Sequence, residues 1–280
     1  MFHRFPVLVA LAAALVLLVV QPVAAAAPHR IISLSPTATE SLFAIGAGQQ
    51  VVAVDDQSDY PKRAPKTTLS GFTPNVEAIA SYRPDLVIVQ YDAGGVVEAL
   101  RKLEIRVLVQ PSAKNLAVAY AQIRQLGTVT AHNRAALALV KRMQTTIARA
   151  LKSAPKKRLS VYHELSPDFY SATSKTFIGG IYKLFGLRNI ADAADSTASG
   201  YPQLSGEYIL GANPSLIVLA DTRCCGQTVA AVGKRPGWSN VSAVRTRSVV
   251  AVDDSVASRW GPRVVQFVQA VAKVLRRRDQ

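Results

Sequence analysis

The sequence predicts an α/β protein built as two similar lobes with one long helix between them. Three observations predict it. Short runs rich in β-branched residues recur along the chain and alternate with helical patterns, as in parallel sheets covered on both faces. A glutamate followed seven positions later by a proline and a wholly apolar strand occurs twice, at Glu77, Pro84 and Leu86–Val89 and at Glu207, Pro214 and Leu216–Leu219. Between the copies, a longer amphipathic stretch breaks the alternation. With 280 residues, 49% of them apolar, the chain supports two folding units, and neither disorder nor a small disulfide scaffold fits it.

Taken in order, residues 1–27 read as a secretory signal. Arg4 gives a basic start, Val7–Val20 is an unbroken apolar run, and Ala24–Ala27 offers an A-x-A cleavage pattern. The run is about 14 residues, short of the roughly 20 that a membrane span needs, which leaves an uncleaved N-terminal anchor as the lesser alternative. No cysteine stands near the cleavage region, so the expected product is an exported chain, soluble in the periplasm or cell envelope and not a lipoprotein. Strands are expected at Ile31–Ser35, Val51–Asp56, Asp85–Gln90, Arg106–Gln110, Leu159–Glu164, Ser215–Ala220 and Ser248–Asp254. Ser35-Pro36 with Glu40, Thr73-Pro74 and Ser205 signal helix starts. The lobes are expected at 28–128 and 157–280, with the linking helix at 129–156. Within 130–153, Leu137, Val140, Met143, Ile147 and Leu151 form one apolar stripe on a helix about 36 Å long, stopped by Ala154-Pro155.

Charge is unevenly spread. Residues 28–128 hold 10 Lys and Arg against 9 Asp and Glu, whereas 129–280 hold 22 against 9. Between 130 and 158, Arg134, Lys141, Arg142, Arg149, Lys152, Lys156, Lys157 and Arg158 meet no acid at all. An exported chain without aromatic residues among these charges is not expected to bind nucleic acid. The stretch reads either as a solvated helix face or as a surface for anionic lipid or another polyanion.

Motifs for catalysis are missing. Gly226 to Lys234 has the wrong spacing for a phosphate loop, and Gly46-Ala47-Gly48 follows a helical stretch and lacks a third glycine. There is no G-x-S-x-G, H-E-x-x-H or C-x-x-C, so no enzyme and no metal site are expected. His163 beside Glu164 reads as a base or, more commonly, as a satisfied polar residue at a strand end. Cys224-Cys225 leaves three readings open: a vicinal disulfide, reduced packing thiols, or a ligand contact.

Five segments in order carry a family resemblance: Ile31–Glu40 (IISLSPTATE), Ser58–Pro61 (SDYP), Asn75–Val89 (NVEAIASYRPDLVIV), Tyr201–Glu207 (YPQLSGE) and Ser258–Arg263 (SRWGPR). Together they resemble the cobalamin- and ferric-siderophore-binding proteins of ABC importers, the vitamin-B12-binding type of helical-backbone periplasmic binding protein. The resemblance implies two Rossmann-like α/β lobes joined by a single long rigid helix, with a ligand cleft between the lobes. It implies a cobalamin or ferric siderophore ligand, no cofactor, a monomer, and a membrane permease with its ATPase as partner. Tyr60, Phe169 and Tyr201 match cleft aromatics, Tyr201 in place of a tryptophan. Gly71 falls where another tryptophan is expected, with Phe72 beside it. Arg259, with Trp260 next to it, matches a basic cleft residue, and Asp254 matches an acidic one to within one position. Glu77 and Glu207 match the glutamates that meet the permease. A metal-cluster protein with related lobes is a further alternative, one that needs more cysteines than this chain has.

Overall fold

The computed structural model describes residues 26–155 and 158–277, so the signal expected over 1–27 lies almost wholly outside the described residues. The first lobe holds β1 (Ile31–Leu34), β2 (Val51–Val54), β3 (Leu86–Val89) and β4 (Arg106–Val109) in the order β2-β1-β3-β4. The second holds β5 (Ser160–Glu164), β6 (Arg188–Asn189), β7 (Leu216–Leu219) and β8 (Val249–Ala251) in the order β6-β5-β7-β8. Every pairing is parallel. The two sheets are thus the same design used twice.

Register shows how close the copies are. Ile31 of β1 faces Leu86 of β3, and Val161 of β5 faces Leu216 of β7, at the same sequence separation. The repeated glutamate begins equivalent helices, Val76–Ser81 before β3 and Gly206–Ala212 before β7. The string Val-Val-Ala-Val-Asp-Asp also occurs twice, at 51–56 and 249–254, but it falls on β2 in one lobe and β8 in the other, edge strands that hold different places in the common order.

Alternate side chains along each strand explain why the runs are apolar throughout. Ile31 and Ile88 point into a core shared with the connecting helices, while Ile32, Leu34, Val87 and Val89 fill the outer core of the first lobe. Tyr162, Ile217 and Leu219 do the same in the second lobe. Both faces are covered, as parallel sheets require.

The connection between the lobes contains two helices, Leu116–Val129 and Asn133–Ser153, separated by a turn in which Ala131 takes a left-handed conformation (φ 61°). The 21-residue second helix is about 32 Å long. Its buried face is Ala136, Leu139, Val140, Met143, Ile147 and Ala150, whereas Leu137 is 58% exposed. Val140, Met143 and Ile147 are buried as expected and Leu151 is half-buried against the core, but Leu137 is not part of the stripe; Ala136 takes the core position beside it. Alanine allows close approach: an added Cβ on Gly127 of the preceding helix would stand 2.5 Å from Ala136 Cβ. The C-terminal helix Val264–Arg277 also packs on the long helix, burying Phe267, Val268, Val271 and Leu275. The rod is consequently one member of a packed helical layer.

Other local expectations need correction. Ser35 and Ser205 do cap their helices, accepting from Ala38 N and Tyr208 N. Thr73-Pro74 does not open the next helix; Asn75 caps it, accepting from Ala78 N at 2.7 Å. β6 was not foreseen, since two residues, Arg and Asn, carry no apolar run. No helix among the described residues is long and apolar enough to cross a membrane.

Candidate functional site: an inter-lobe cleft

In parallel α/β sheets, ligands gather where the strands end. Here the loops that follow the strands of both lobes meet each other. A cavity of about 280 Å³ is lined by Leu34 at the end of β1, Asp55 after β2, Tyr91 after β3, and Ser258–Trp260 from the segment after β8. Phe72, 67% exposed, and Gly71 complete one wall. Gly71 stands where a tryptophan was expected, and the local packing explains it: a Cβ there would meet Leu34 O at 2.8 Å and Asp55 Oδ2 at 3.0 Å.

A line of ion pairs ties the lobes across this cleft. Buried Glu40, on the first helix of the first lobe, accepts from Arg259 Nη1 at 3.3 Å and from Arg263 Nε at 3.0 Å, and Arg263 Nη2 also donates to it. Arg259 further donates to Asp59 Oδ1 at 2.9 Å and to Gln57 O at 3.0 Å. Arg223, on the loop after β7, reaches Asp59 Oδ2 at 3.3 Å and Asp253 Oδ2 at 3.2 Å. The line runs from a buried end at Glu40 to a half-exposed end at Arg223. Burial works against the charge on Asp59, but the Arg259 hydrogen bond and the charges of Arg259 and Arg223 hold its carboxyl below the usual range.

Each residue singled out in the sequence has a definite place. Tyr60 is exposed on one side and carries the Arg263 guanidinium over its ring at 4.1 Å. Arg259 lines the cavity with its guanidinium already engaged by Glu40, Asp59 and Gln57. Trp260 lies beside it, its indole donating to Gln122 Oε1 at 2.9 Å. Asp254 turns its carboxylate onto the backbone N–H groups of Thr222, Arg223 and Cys224, which fixes the Arg223 loop. Burial opposes that charge, and the backbone donors keep its carboxyl below the ordinary range. Cys224 and Cys225, in the same loop, are joined to each other as a disulfide. Tyr201 is exposed, whereas Phe169 is half-buried, stacked on Trp238 with ring centroids 5.8 Å apart.

Glu77 and Glu207 stand in the first turns of equivalent helices, both exposed. Each helix runs back along the strand it precedes, so both first turns lie at the level where the strands end. Glu207's carboxyl is lowered by hydrogen bonds from its own backbone N–H and from Ser205.

The second lobe holds a buried polar group that sequence reasoning missed. Arg235 makes a two-pronged pair with Glu164 (2.7 and 2.6 Å), donates to Gln227, and lies over the Phe169 and Trp238 rings at 5.5 and 4.7 Å. Asp221 is buried beside Glu164, and burial with that neighbouring charge pushes its carboxyl well up. His163, one residue from Glu164, is wholly buried, hydrogen-bonds Tyr182 through Nδ1 at 2.5 Å, and is driven down to about 3 by burial. It is a neutral core residue, not a base. Arg223 and Arg235 were missed because their partners lie far off in sequence; Asp55 stood out in no motif, Glu40 read only as an acid at a helix start, and Asp59 and Arg263 carried no role of their own.

Among the described residues, no group of three or more His, Cys, Asp or Glu is arranged to hold a metal ion. A separate groove of about 400 Å³ lies between the long helix and the C-terminal helix, with Arg149, Lys273 and Arg276 on its walls.

Comparison with known proteins agrees with this geometry. A structure of the periplasmic vitamin B12 binding protein of Vibrio cholerae superposes with a TM-score of 0.75 at 26% identity, covering 90% of this chain and 98% of that one. A cobalamin-binding protein of Halobacterium salinarum is 31% identical over 255 residues, 88% of this chain and 69% of its own length. A Bacillus subtilis relative, 32% identical over 88% of this chain and 79% of its own length, is an uncharacterized ABC transporter substrate-binding lipoprotein. That relative corrects the expectation that this chain is not a lipoprotein: lack of a lipid anchor does not follow from this fold and sequence class. The family model described as periplasmic binding protein matches residues 31–256, and the chain belongs to that family.

Proposed function

We propose that the protein is the ligand-capturing component of an ABC importer for a bulky metal chelate, a corrinoid or a ferric siderophore, and not an enzyme. The observation that carries this reading is the meeting of both lobes' strand-end loops around one cavity walled by Phe72, Tyr91, Arg259 and Trp260, of which Phe72 and Tyr91 are more than 40% exposed. Exposed aromatic faces suit a large, partly apolar guest, and a few polar groups fix its orientation. Similarity over 88–90% of this chain to proteins that bind cobalamin or vitamin B12 supports the same reading. In it, residues 28–128 and 157–280 act as the two jaws, and the helical segment 129–156 limits how far they swing. Glu77 and Glu207, one per lobe, present carboxylates to arginines of the permease and set the docked orientation.

Binding is tested by thermal shift with cobalamin, a ferric trihydroxamate and hemin. A true ligand at 100 times its dissociation constant adds about 2.7 kcal/mol of stability. Trp260 borders the cavity, so the same ligand should quench fluorescence in the wild type and less so in Trp260→Phe. No shift with any of the three would remove the reading.

The basic groove at Arg149, Lys273 and Arg276 favours a second reading, attraction to an anionic surface. Salt-sensitive pelleting with anionic vesicles would support it, and pelleting that is absent at low salt would end it.

A further inference from the structure

Asp55 is a buried acid whose carboxylate is only partly satisfied, by hydrogen bonds from Ser58. It follows β2, and its backbone is fully used: its N–H donates to Ser33 O at 3.1 Å and its carbonyl accepts from Ser58 N at 3.2 Å. The residue is only 2% exposed, yet Oδ1 has no hydrogen-bond partner among the described residues. A buried carboxylate oxygen left unpaired is costly, and proteins retain few of them without a reason. Burial raises this carboxyl to about 6, against the opposing pull of Ser58 and Arg259.

The surroundings supply the reason. Asp55 lines the inter-lobe cavity, and so does Gly71, whose missing side chain would press on both Asp55 Oδ2 and the Leu34 carbonyl. Glycine at 71 therefore keeps side-chain atoms off the Leu34 carbonyl and off Asp55 Oδ2, the partner oxygen of the unpaired Oδ1. Its φ is not in the left-handed range, so backbone conformation does not require glycine there. Arg259 is the other formally charged residue on the wall, and its guanidinium is already spent on Glu40, Asp59 and Gln57. This face of the cleft thus offers acceptors, while its cation is satisfied.

We propose that Asp55, the Leu34 carbonyl and the bare backbone at Gly71 form a subsite for an N–H donor on the ligand's rim, an amide or ammonium group, and that they select against ligands placing a carboxylate there. The inference deepens the chelate-capture reading and rests on it. A donor entering from the ligand meets the Asp55 carboxylate from the Gly71 side, in the cavity that Phe72 and Trp260 also line. A carboxylate in the same place would meet a second negative charge with no free cation to offset it.

Three chelates separate the cases: cyanocobalamin, rimmed by primary amides; ferrioxamine B, with a terminal ammonium; and hemin, with two carboxylates. Titration of wild type, Asp55→Asn and Gly71→Ala at pH 7.5 reads the affinities, with circular dichroism confirming that each variant is folded. The expected result is that wild type binds an amide- or ammonium-bearing chelate about tenfold or more tighter than hemin, and that Asp55→Asn weakens that chelate about tenfold while weakening hemin not at all. Gly71→Ala should weaken it in the same direction by covering the acceptors. Preference of the wild type for hemin, or unchanged affinity in Asp55→Asn, overturns the subsite while leaving a chelate-binding protein in place. Failure of the wild type to bind all three overturns the chelate reading, and the subsite falls with it.

Discussion

Glu40 shows how much a lone buried charge can carry. It accepts from two arginines that arrive from the far end of the chain, and removing it strands guanidinium groups in a largely dry site. Glu40→Ala should destabilise the protein by about 3–5 kcal/mol in urea unfolding, the cost of breaking a buried pair from one side. Asp221 should behave in the opposite sense. Its folded-state carboxyl is raised by burial and by Glu164, so its ionisation opposes folding at high pH and that penalty fades as pH falls. Asp221→Asn, uncharged throughout, should therefore be more stable than wild type at pH 8, with the difference shrinking towards pH 5. Parallel melts across that range check the sign, and a gap that widens on acidification would contradict it. Neither residue stood out in the sequence, where Glu40 looked like an ordinary first-helix acid and Asp221 like a loop residue. Side-chain partners more than 200 positions away leave no local trace.

At the scale of elements, strands and caps were legible and helix faces less so. β1, β3 and β7 are wholly apolar or nearly so because both faces are covered, and that pattern is visible by eye. Ser35 and Ser205 were readable as caps because a hydroxyl before a helix has one common use. The long helix was harder. Leucine is the default guess for a core position, yet Ala136 is buried and Leu137 faces outward, because close helix packing of Ala136 on Gly127 favours a small residue. Met143→Ala should thus cost about 2–5 kcal/mol, whereas Leu137→Ala should stay within about 0.5 kcal/mol of wild type. Chemical denaturation of the two variants side by side settles which face is buried. Equal losses would mean that the face has been misassigned.

The whole molecule repeats one lobe design, and the repeat was visible because its Glu–Pro–strand motif keeps its spacing. What the motif does beyond folding is a question for the assembled importer. Glu77 and Glu207 are both exposed, in the first turns of equivalent helices. Reversing either charge, Glu77→Lys or Glu207→Lys, should lower uptake on the order of tenfold or more by opposing like charges at the permease, with ligand affinity unchanged. Transport assays beside binding titrations separate the two quantities, and a parallel drop in affinity would remove the docking role. The cleft as a site for a particular guest was not legible, since its walls combine loops from both lobes that only the fold brings together.

The graded line from Glu40 to Arg223 has one more consequence. Dissolved ions can compete for Arg223 and Asp59 at the lips, where solvent reaches them, but hardly for Glu40 at the jaw's root. Raising ionic strength should then quicken the guest's escape without softening the protein itself, so that brine loosens the bite and spares the skull.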